Sequence, residues 1–411
     1  MKNSKVLVVG AGPAGLMAAI TAAEFTNDVI LIEKNEAIGK KLKITGGGRC
    51  NITNNSSPEE IMKNTITNSK FLYKSLHAFT SQQLMELIEK NGCPLKIESN
   101  QKVFPKSEQS SDIIKVFNDL LIKKRVKVYF QCQLKEIIIE EREVIGIKTD
   151  QGKIVPCDSI ILATGGVSYP HTGSTGEGFY ICEKLGHTIL PLKPSLISMV
   201  IKEKWLTTMT GISLKNIALK TKIGKKAKSF YGDLLFTHYG ISGPAVFELS
   251  AYINKLDFCK GGHKIFVDFV PKIQQEELKK LLLATEKSNK QISSVLTEYL
   301  PKKLLLELLN NLGILHETSL NQLNRKDRNK LIEALKNFEI TIEALKSVKD
   351  AIVTSGGISV KEVNPLTMES KIIKGLFFAG EILDVDAVTG GYNLQIAFST
   401  GYIAGIHSVN S

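Results

Sequence analysis

Val6-Leu7-Val8-Val9 is a run of four apolar residues that stops at Gly10-Ala11-Gly12-Pro13-Ala14-Gly15. An uninterrupted apolar run predicts a strand buried on both faces, and the glycines turn it tightly into a helix. A second strand, Asp28 to Ile32, ends in Glu33, eighteen residues beyond Gly15. Strand, glycine turn, helix, strand and terminal acid form a βαβ unit with dinucleotide-binding spacing. In such a unit Gly10 permits the turn, Gly12 lets a diphosphate approach the backbone, and Gly15 lets helix and strand pack closely. The helix N-terminus offers free N–H groups and a partial positive charge to that diphosphate. Glu33 is placed to accept hydrogen bonds from an adenosine ribose.

Periodicity continues the α/β theme to about residue 190. A Gly- and Asn-rich loop spans Gly39–Asn55. Helices are predicted near Lys70–Phe79, Gln82–Asn91 and Asp112–Lys124, the last with Ile113, Ile114, Val116, Phe117, Leu120 and Leu121 on one broad face. Val126–Phe130 reads as a strand. Leu134–Glu141, Val144–Thr149 and Lys153–Pro156 read as a β-meander, and Ser159–Ala163 as a buried strand. Residues 194–270 hold short strands with frequent Gly, Ser and Thr, as in a small barrel or sandwich. Residues 275–337 are rich in Lys, Leu and Glu at helical spacing. From Asp350 the α/β texture returns, with a strand at Leu376–Ala379 and a final helix over Gly391–Ile406. The expectation is a discontinuous α/β domain, 1–190 with 350–411. It would carry an inserted β subdomain, 191–272 with 338–349, and an inserted helical subdomain, 273–337.

Composition narrows the class. Of 411 residues, 43% are hydrophobic, enough for a sizeable core. The N-terminal apolar run feeds straight into the glycine turn, so it reads as structure and not as a signal peptide. No apolar stretch reaches membrane-spanning length. The six cysteines, Cys50, Cys93, Cys132, Cys157, Cys182 and Cys259, are scattered without a Cys-x-x-Cys pair. They are expected to be buried free thiols in a reducing cytoplasm. No metal cluster or Ser/His/Asp triad emerges from spacing. The net charge is +12, but only five of the 53 basic residues are Arg (49, 125, 142, 325 and 328). Bidentate phosphate chemistry is therefore scarce. Lys222–Lys228 and Lys279–Lys290 are expected to be solvated surfaces, and no stable nucleic-acid partner is expected. Nothing in the chain specifies an oligomeric state.

Four glycine-rich segments sit where strands meet loops or helices: Gly10–Gly15, Ile160–Gly166, Leu376–Asp384 and Thr389–Gln395. Ligands of open α/β sheets bind outside the carboxyl ends of the strands. With Ala163-Thr164-Gly165 and Ala379-Gly380-Glu381, the chain resembles the glutathione-reductase-type flavoprotein superfamily. Lys40-Lys41-Leu42-Lys43-Ile44-Thr45-Gly46-Gly47-Gly48-Arg49-Cys50-Asn51-Ile52-Thr53-Asn54 gives a closer match. It resembles the bacterial BaiN-like or aminoacetone-oxidase-like FAD-binding family of NAD(P)/FAD-dependent oxidoreductases. Tyr169-Pro170 through Gly178, Gly232–Pro244, Thr354–Gly357 and Gly380–Asn393 fit the same family, so the resemblance spans nearly the whole chain.

The resemblance implies FAD in a Rossmann-like domain and hydride transfer between flavin N5 and a small organic substrate. It implies that Gly10, Gly12, Ala14, Gly15, Glu33 and Lys34 line the ADP half, with Lys40 and Lys41 near the pyrophosphate. Gly46, Gly47, Gly48, Arg49, Cys50 and Asn51 would lie near the isoalloxazine. Leu134 would offer backbone contacts to adenine, and Ala163, Thr164 and Gly165 would close the site. Gly380, Glu381, Asp384, Gly391, Asn393 and Leu394 would hold ribityl and flavin. Candidate proton donors are His238, Tyr239, Tyr169, His171 and Tyr392. Cys50 is either a flavin-proximal thiol or a small packing residue. A single dinucleotide fingerprint is visible, so NADH or NADPH would be a transient reductant. Two alternatives stand beside the oxidoreductase: a basic FAD-containing RNA-modifying protein, and a flavin-bound redox sensor without turnover.

Overall fold

The computed structural model describes residues 4–259, 261–284 and 289–409. Its contacts divide into two units: Met1–Ser195 with Val348–Ser411, and Leu196–Ser347.

The first unit is built on a parallel sheet. Its strands are β1 (Val6–Val9), β2 (Val29–Ile32), β3 (Lys127–Tyr129), β4 (Ser159–Leu162) and β5 (Leu376–Phe378), in the order β5-β4-β1-β2-β3. Val6 is in register with Ser159 on one side and Val29 on the other. Every residue of β1, β2, β4 and β5 is buried, which explains why their sequences show apolar runs without alternation. The edge strand β3 is largely exposed. Helices α1 (Pro13–Ala22) and α2 (Tyr392–His407) are apolar nearly all round, as buried helices are. They cross backbone to backbone. A Cβ on Gly401 would overlap the Ala14 carbonyl, and one on Gly405 would lie 2.6 Å from that of Ala18.

The meander is present as Leu134–Glu140, Glu143–Thr149 and Ile154–Pro156. Gly39–Asn55 is more ordered than a loop: it holds a helix, Lys40–Ile44, a 3-10 turn, Thr45–Gly48, and a short strand, Thr53–Asn54. The chain leaves and re-enters this unit along an antiparallel pair, Ile189–Ser195 with Val353–Ile358. The break therefore falls near Ser195 and Val348, a few residues inside the expected 190 and 350.

The second unit is a closed six-stranded barrel. Its order is Met199–Ile201, Gly240–Ser242, Lys226–Thr237, Ser213–Ile223, His263–Asp268 and Phe338–Leu345. Helices Gln275–Ala284, Ile292–Leu296, Lys302–Leu312 and Arg325–Lys336 contribute to the same hydrophobic core as the barrel. Helix Pro244–Ile253, inside the region read as strands, also belongs to that core. Part of the Lys279–Lys290 cluster, residues 285–288, lies outside the described residues.

All six cysteines are free. Cys50, Cys93, Cys157 and Cys182 are buried as expected, but Cys132 is half-buried and Cys259 exposed. Among the described residues no helix is long and apolar enough to cross a membrane. Charge is unequally divided. Leu196–Ser347 holds 24 Lys and Arg against 15 Asp and Glu, which is +9 of the chain's +12.

Candidate cofactor site

The carboxyl ends of β1, β4 and β5 meet at the first glycine turn. Gly10 has φ +100°, and a Cβ there would lie 2.6 Å from the Ala163 carbonyl oxygen at the end of β4. A Cβ on Gly15 would overlap the Gly10 carbonyl oxygen, and one on Gly380 would lie 2.8 Å from the Ala14 methyl. These glycines are dictated by the protein's own packing. Gly12 is not. Its φ of −81° suits any residue, and a Cβ there would meet nothing within 4 Å. The N-terminus of α1 above it has no side-chain cap and no acidic residue in its first turn. An open cradle facing uncapped N–H groups fits a diphosphate.

Glu33, at the end of β2, is buried and already engaged. Its Oε2 accepts the Ala11 N–H at 2.7 Å, and its Oε1 accepts the N–H and side-chain amide of Asn35 at 2.9 and 2.6 Å. The carboxylate thus braces the glycine turn. Lys34 donates to Thr175 at 2.6 Å and pairs with Glu177 at 3.1 Å. Lys40 lies 3.6 Å from Glu36. Leu134 is buried at the start of its strand.

Lys41 lies within a polar cluster that joins four segments. Its Nζ donates to Glu381 Oε2 at 2.7 Å and to Ser168 Oγ at 2.6 Å. Glu381 Oε1 accepts the Thr354 N–H at 2.7 Å and the Ser168 hydroxyl at 3.0 Å. Thr354 Oγ1 in turn accepts the N–H groups of Val167 and Ser168. Ser168 escapes sequence reasoning because nothing distinguishes it from any loop serine. Thr354 carried one signal, the Thr-Ser-Gly-Gly motif.

The glycine loop after helix Lys40–Ile44 has its own geometry. Gly46, Gly47 and Gly48 all have positive φ, and added Cβ atoms on Gly47 and Gly48 would meet nothing. Arg49 turns away to an ion-pair cluster, at 3.1 Å from Glu98 and 2.8 Å from Glu108, with its guanidinium 4.1 Å over the Phe104 ring. Cys50 is fully buried, and burial pushes its thiol up to about 12, so it packs as a neutral group. Asn51 Oδ1 is buried without a hydrogen-bond partner, and so is Thr164 Oγ1. Asn51 adjoins the glycine loop at Gly46, and a buried polar atom without a partner among the described residues there fits a polar ligand.

At the far side, a Cβ on Gly391 would overlap the Thr53 carbonyl, and Asn54 donates to the Gly390 carbonyl at 2.9 Å. Asn393 staples the approach to α2: it accepts from Ala387 N–H and donates to the carbonyls of Ala387 and Val388. The α2 N-terminus itself has no side-chain cap. Tyr392 and Leu394 are partly buried against the core, Gly165 has φ +74°, and Ala163 is buried. Asp384 is buried and accepts from the Asn68 amide at 2.8 Å. Tyr169 and His171 stack edge to face at 5.8 Å, and burial, then Asp350, raises the Tyr169 phenol above its ordinary range. His238 and Tyr239 belong to the other unit, in the turn after Lys226–Thr237. There Tyr239 carries Lys346 over its ring at 4.6 Å.

A discontinuous Rossmann-type domain with this cradle, interrupted by a barrel, defines an FAD-binding flavoprotein of the oxidoreductase class. The model of the HI0933-like protein Rossmann domain family matches residues 4–407, and the chain belongs to that family. A Clostridium scindens protein named 3-dehydro-bile acid delta(4,6)-reductase is 30% identical over 407 residues, 98% of each chain. A Haemophilus influenzae protein named ribosomal RNA dihydrouridine synthase is 31% identical over 405 residues, 97% of each chain. An Escherichia coli protein with that name is 28% identical over 98% of this chain and 97% of its own. Among solved structures, 3-ketosteroid delta1-dehydrogenase from Sterolibacterium denitrificans aligns over the whole of both chains with TM-score 0.54 at 12% identity. The 3-ketosteroid-delta4-(5alpha)-dehydrogenase of Rhodococcus jostii covers 99% of this chain and 97% of its own, with TM-score 0.53 at 14% identity. These two share the fold.

Proposed function

We propose that this flavoprotein saturates a carbon–carbon double bond conjugated to a carbonyl in an organic substrate. The cofactor part of the reading is carried by one observation: Gly12 is free of every packing and conformational demand, at the uncapped N-terminus of α1. The reaction part is supported by what the relatives' names share. A delta(4,6)-reductase of a 3-dehydro bile acid and a uridine-to-dihydrouridine synthase both hydrogenate a C=C bond activated by a carbonyl.

In this reading Gly10–Gly15 and the α1 N-terminus hold the diphosphate, Glu33 the ribose, and Lys41, Glu381 and Asn51 the flavin half. Bound and reduced, FAD supplies a hydride from N5. The uncapped N-terminus of α2, with the N–H groups of Asn393 and Leu394, would stabilise negative charge brought to it. Tyr169, His171 and Tyr392 of the first unit, and His238 and Tyr239 of the second, are the proton donors to test. Two electrons would come from NADH or NADPH as a visiting reductant. Six free cysteines suit a reducing compartment such as the cytoplasm.

The test is anaerobic. Purified holoprotein is mixed with NADH or NADPH, flavin bleaching is followed, and reoxidation is then sought with enones and with uridine-containing RNA. Bleaching by a nicotinamide and reoxidation by a conjugated acceptor, with a product two hydrogens heavier, are expected. Reoxidation by oxygen alone would leave the redox-sensor reading and sink this one.

A second, narrower reading makes the substrate a uracil ring within RNA. One observation favours it: three quarters of the net positive charge lies on the inserted unit. Phosphate neutralisation by such charge drives association with nucleic acid.

A further inference from the structure

The longest strands of the inserted unit, Ser213–Ile223 and Lys226–Thr237, form a hairpin. Ser213–Ile223 is held on its other edge only through Ala218–Lys220, and Lys226–Thr237 only through Leu235–Thr237. At the hairpin's end, beyond Lys220, the backbone ladder joins only its own two strands, with Thr221 hydrogen-bonded to His263 and Lys228 over the Tyr252 ring. That end carries Lys222, Lys225 and Lys226, all exposed, and none is ion-paired with a carboxylate among the described residues. Nearer the barrel the pattern differs: Lys215 pairs with Asp233 at 2.6 Å and Lys220 with Asp268 at 2.9 Å. The acids thus neutralise the base of the hairpin and leave its tip positive.

An aromatic residue shares that surface. Tyr231 is 67% exposed. Side chains alternate along a strand, so Tyr231, Ser229 and Ala227 point to one face, and all three are exposed. Lys222 lies opposite Ala227 and so belongs to the same face. Ala227 and Tyr231 are separated by four residues, about 13 Å along a strand. A solvated lysine face needs no such tyrosine. A lysine tip without carboxylate partners among the described residues and an exposed aromatic ring further along the same hairpin are the two elements that bind single-stranded nucleic acid, one for phosphates and one for a base.

We propose that the tip and outer face of this hairpin dock RNA, with Lys222, Lys225 and Lys226 on phosphates and a base stacked on Tyr231. The choice of RNA as partner rests on the uracil-in-RNA reading above; the surface itself rests on exposure, register and charge.

The experiment uses the FAD-loaded full chain and a short fluorescein-labelled RNA loop containing uridines, with anisotropy read between about 50 and 200 mM salt. The triple variant Lys222→Gln, Lys225→Gln, Lys226→Gln should flatten the slope of log affinity against log salt by about 2, since each lost single-strand phosphate contact removes about 0.7. Tyr231→Ala should weaken binding about tenfold with the slope unchanged. Both should reduce a free enone as the unsubstituted protein does. Unchanged RNA binding in both variants would overturn the assignment, and so would an equal loss of free-enone reduction, which would place the effect in the barrel's fold. If the unsubstituted protein saturates uridines in RNA and the variants do so with the same KM, the surface falls and the reading stands. If it reduces free enones but neither binds nor reduces RNA, both fall.

Discussion

Replacing Gly12 by alanine separates a cofactor glycine from a packing glycine. A Cβ at Gly12 meets no protein atom within 4 Å, and φ −81°, ψ −178° is ordinary extended backbone. Two small terms act on the apoprotein. Lost freedom in the unfolded chain stabilises Gly12→Ala by about 0.4–1 kcal/mol. Alanine is a poorer helix N-cap than glycine by a similar amount. The apoprotein's stability should therefore move by less than about 1 kcal/mol. FAD should be affected far more. A methyl group in the cradle would hold the diphosphate off the N–H groups of α1, and each charge-assisted hydrogen bond lost costs about 1.5–3 kcal/mol. Two such bonds correspond to a Kd raised by about 10² to 10⁴. The assay is an FAD fluorescence titration of apoprotein, with thermal unfolding of the same sample. Gly15→Ala is the control: its methyl would overlap the Gly10 carbonyl oxygen, a backbone atom, so it should destabilise the fold itself. A yellow Gly12→Ala protein with one FAD per chain and unchanged Kd would refute the placement of the diphosphate. An unfolded one would refute the open cradle.

Four further outcomes follow from the structure. Gly401→Ala would drive a methyl into the Ala14 carbonyl where α1 and α2 cross, and should cost about 1–3 kcal/mol in chemical denaturation. In a thiol titration of native protein, Cys259 should react fast and Cys132 slowly. Cys50, Cys157 and Cys182 should stay silent until denaturant is added, because burial holds all three protonated, Cys50 and Cys157 up to about 12. The same raised values make stability fall with pH above the unfolded thiol range of about 8.5, where only the unfolded chain ionises. At the acid end, burial lowers His187 below its ordinary range. The folded state keeps it neutral while the unfolded chain gains a proton, so stability should fall as pH drops below about 6.5, and His187→Gln should blunt that fall.

Much of the first unit was legible in the chain because local rules dominate there. Buried parallel strands must be apolar on both faces, and the fingerprint's turn tolerates only glycine at Gly10 and Gly15. The meander and the last helix were equally plain. The inserted unit was harder. Helix Pro244–Ile253 follows Gly240–Gly243 and sits among short strands, so the glycines and serines around it masked its onset. Arg49, Cys50 and Asp384 show a different limit. Each stands in a motif, but Arg49 is satisfied by Glu98 and Glu108, Cys50 by packing, and Asp384 by Asn68. Those partners are 49 to 316 residues away, and no local pattern encodes them.

What the sequence determined by itself was the order of elements, the flavoprotein family and the glycines that a strand-to-helix turn requires, since each depends on neighbours within a few residues. Only the tertiary structure decided which glycine is left open for a ligand, which polar atoms are orphaned, that Ser168, Thr354, Lys41 and Glu381 form one network, and that the tip of the barrel hairpin is positive with no carboxylate partner among the described residues. Those are properties of distances between segments far apart in the chain, and distances of that kind exist only once the chain has folded.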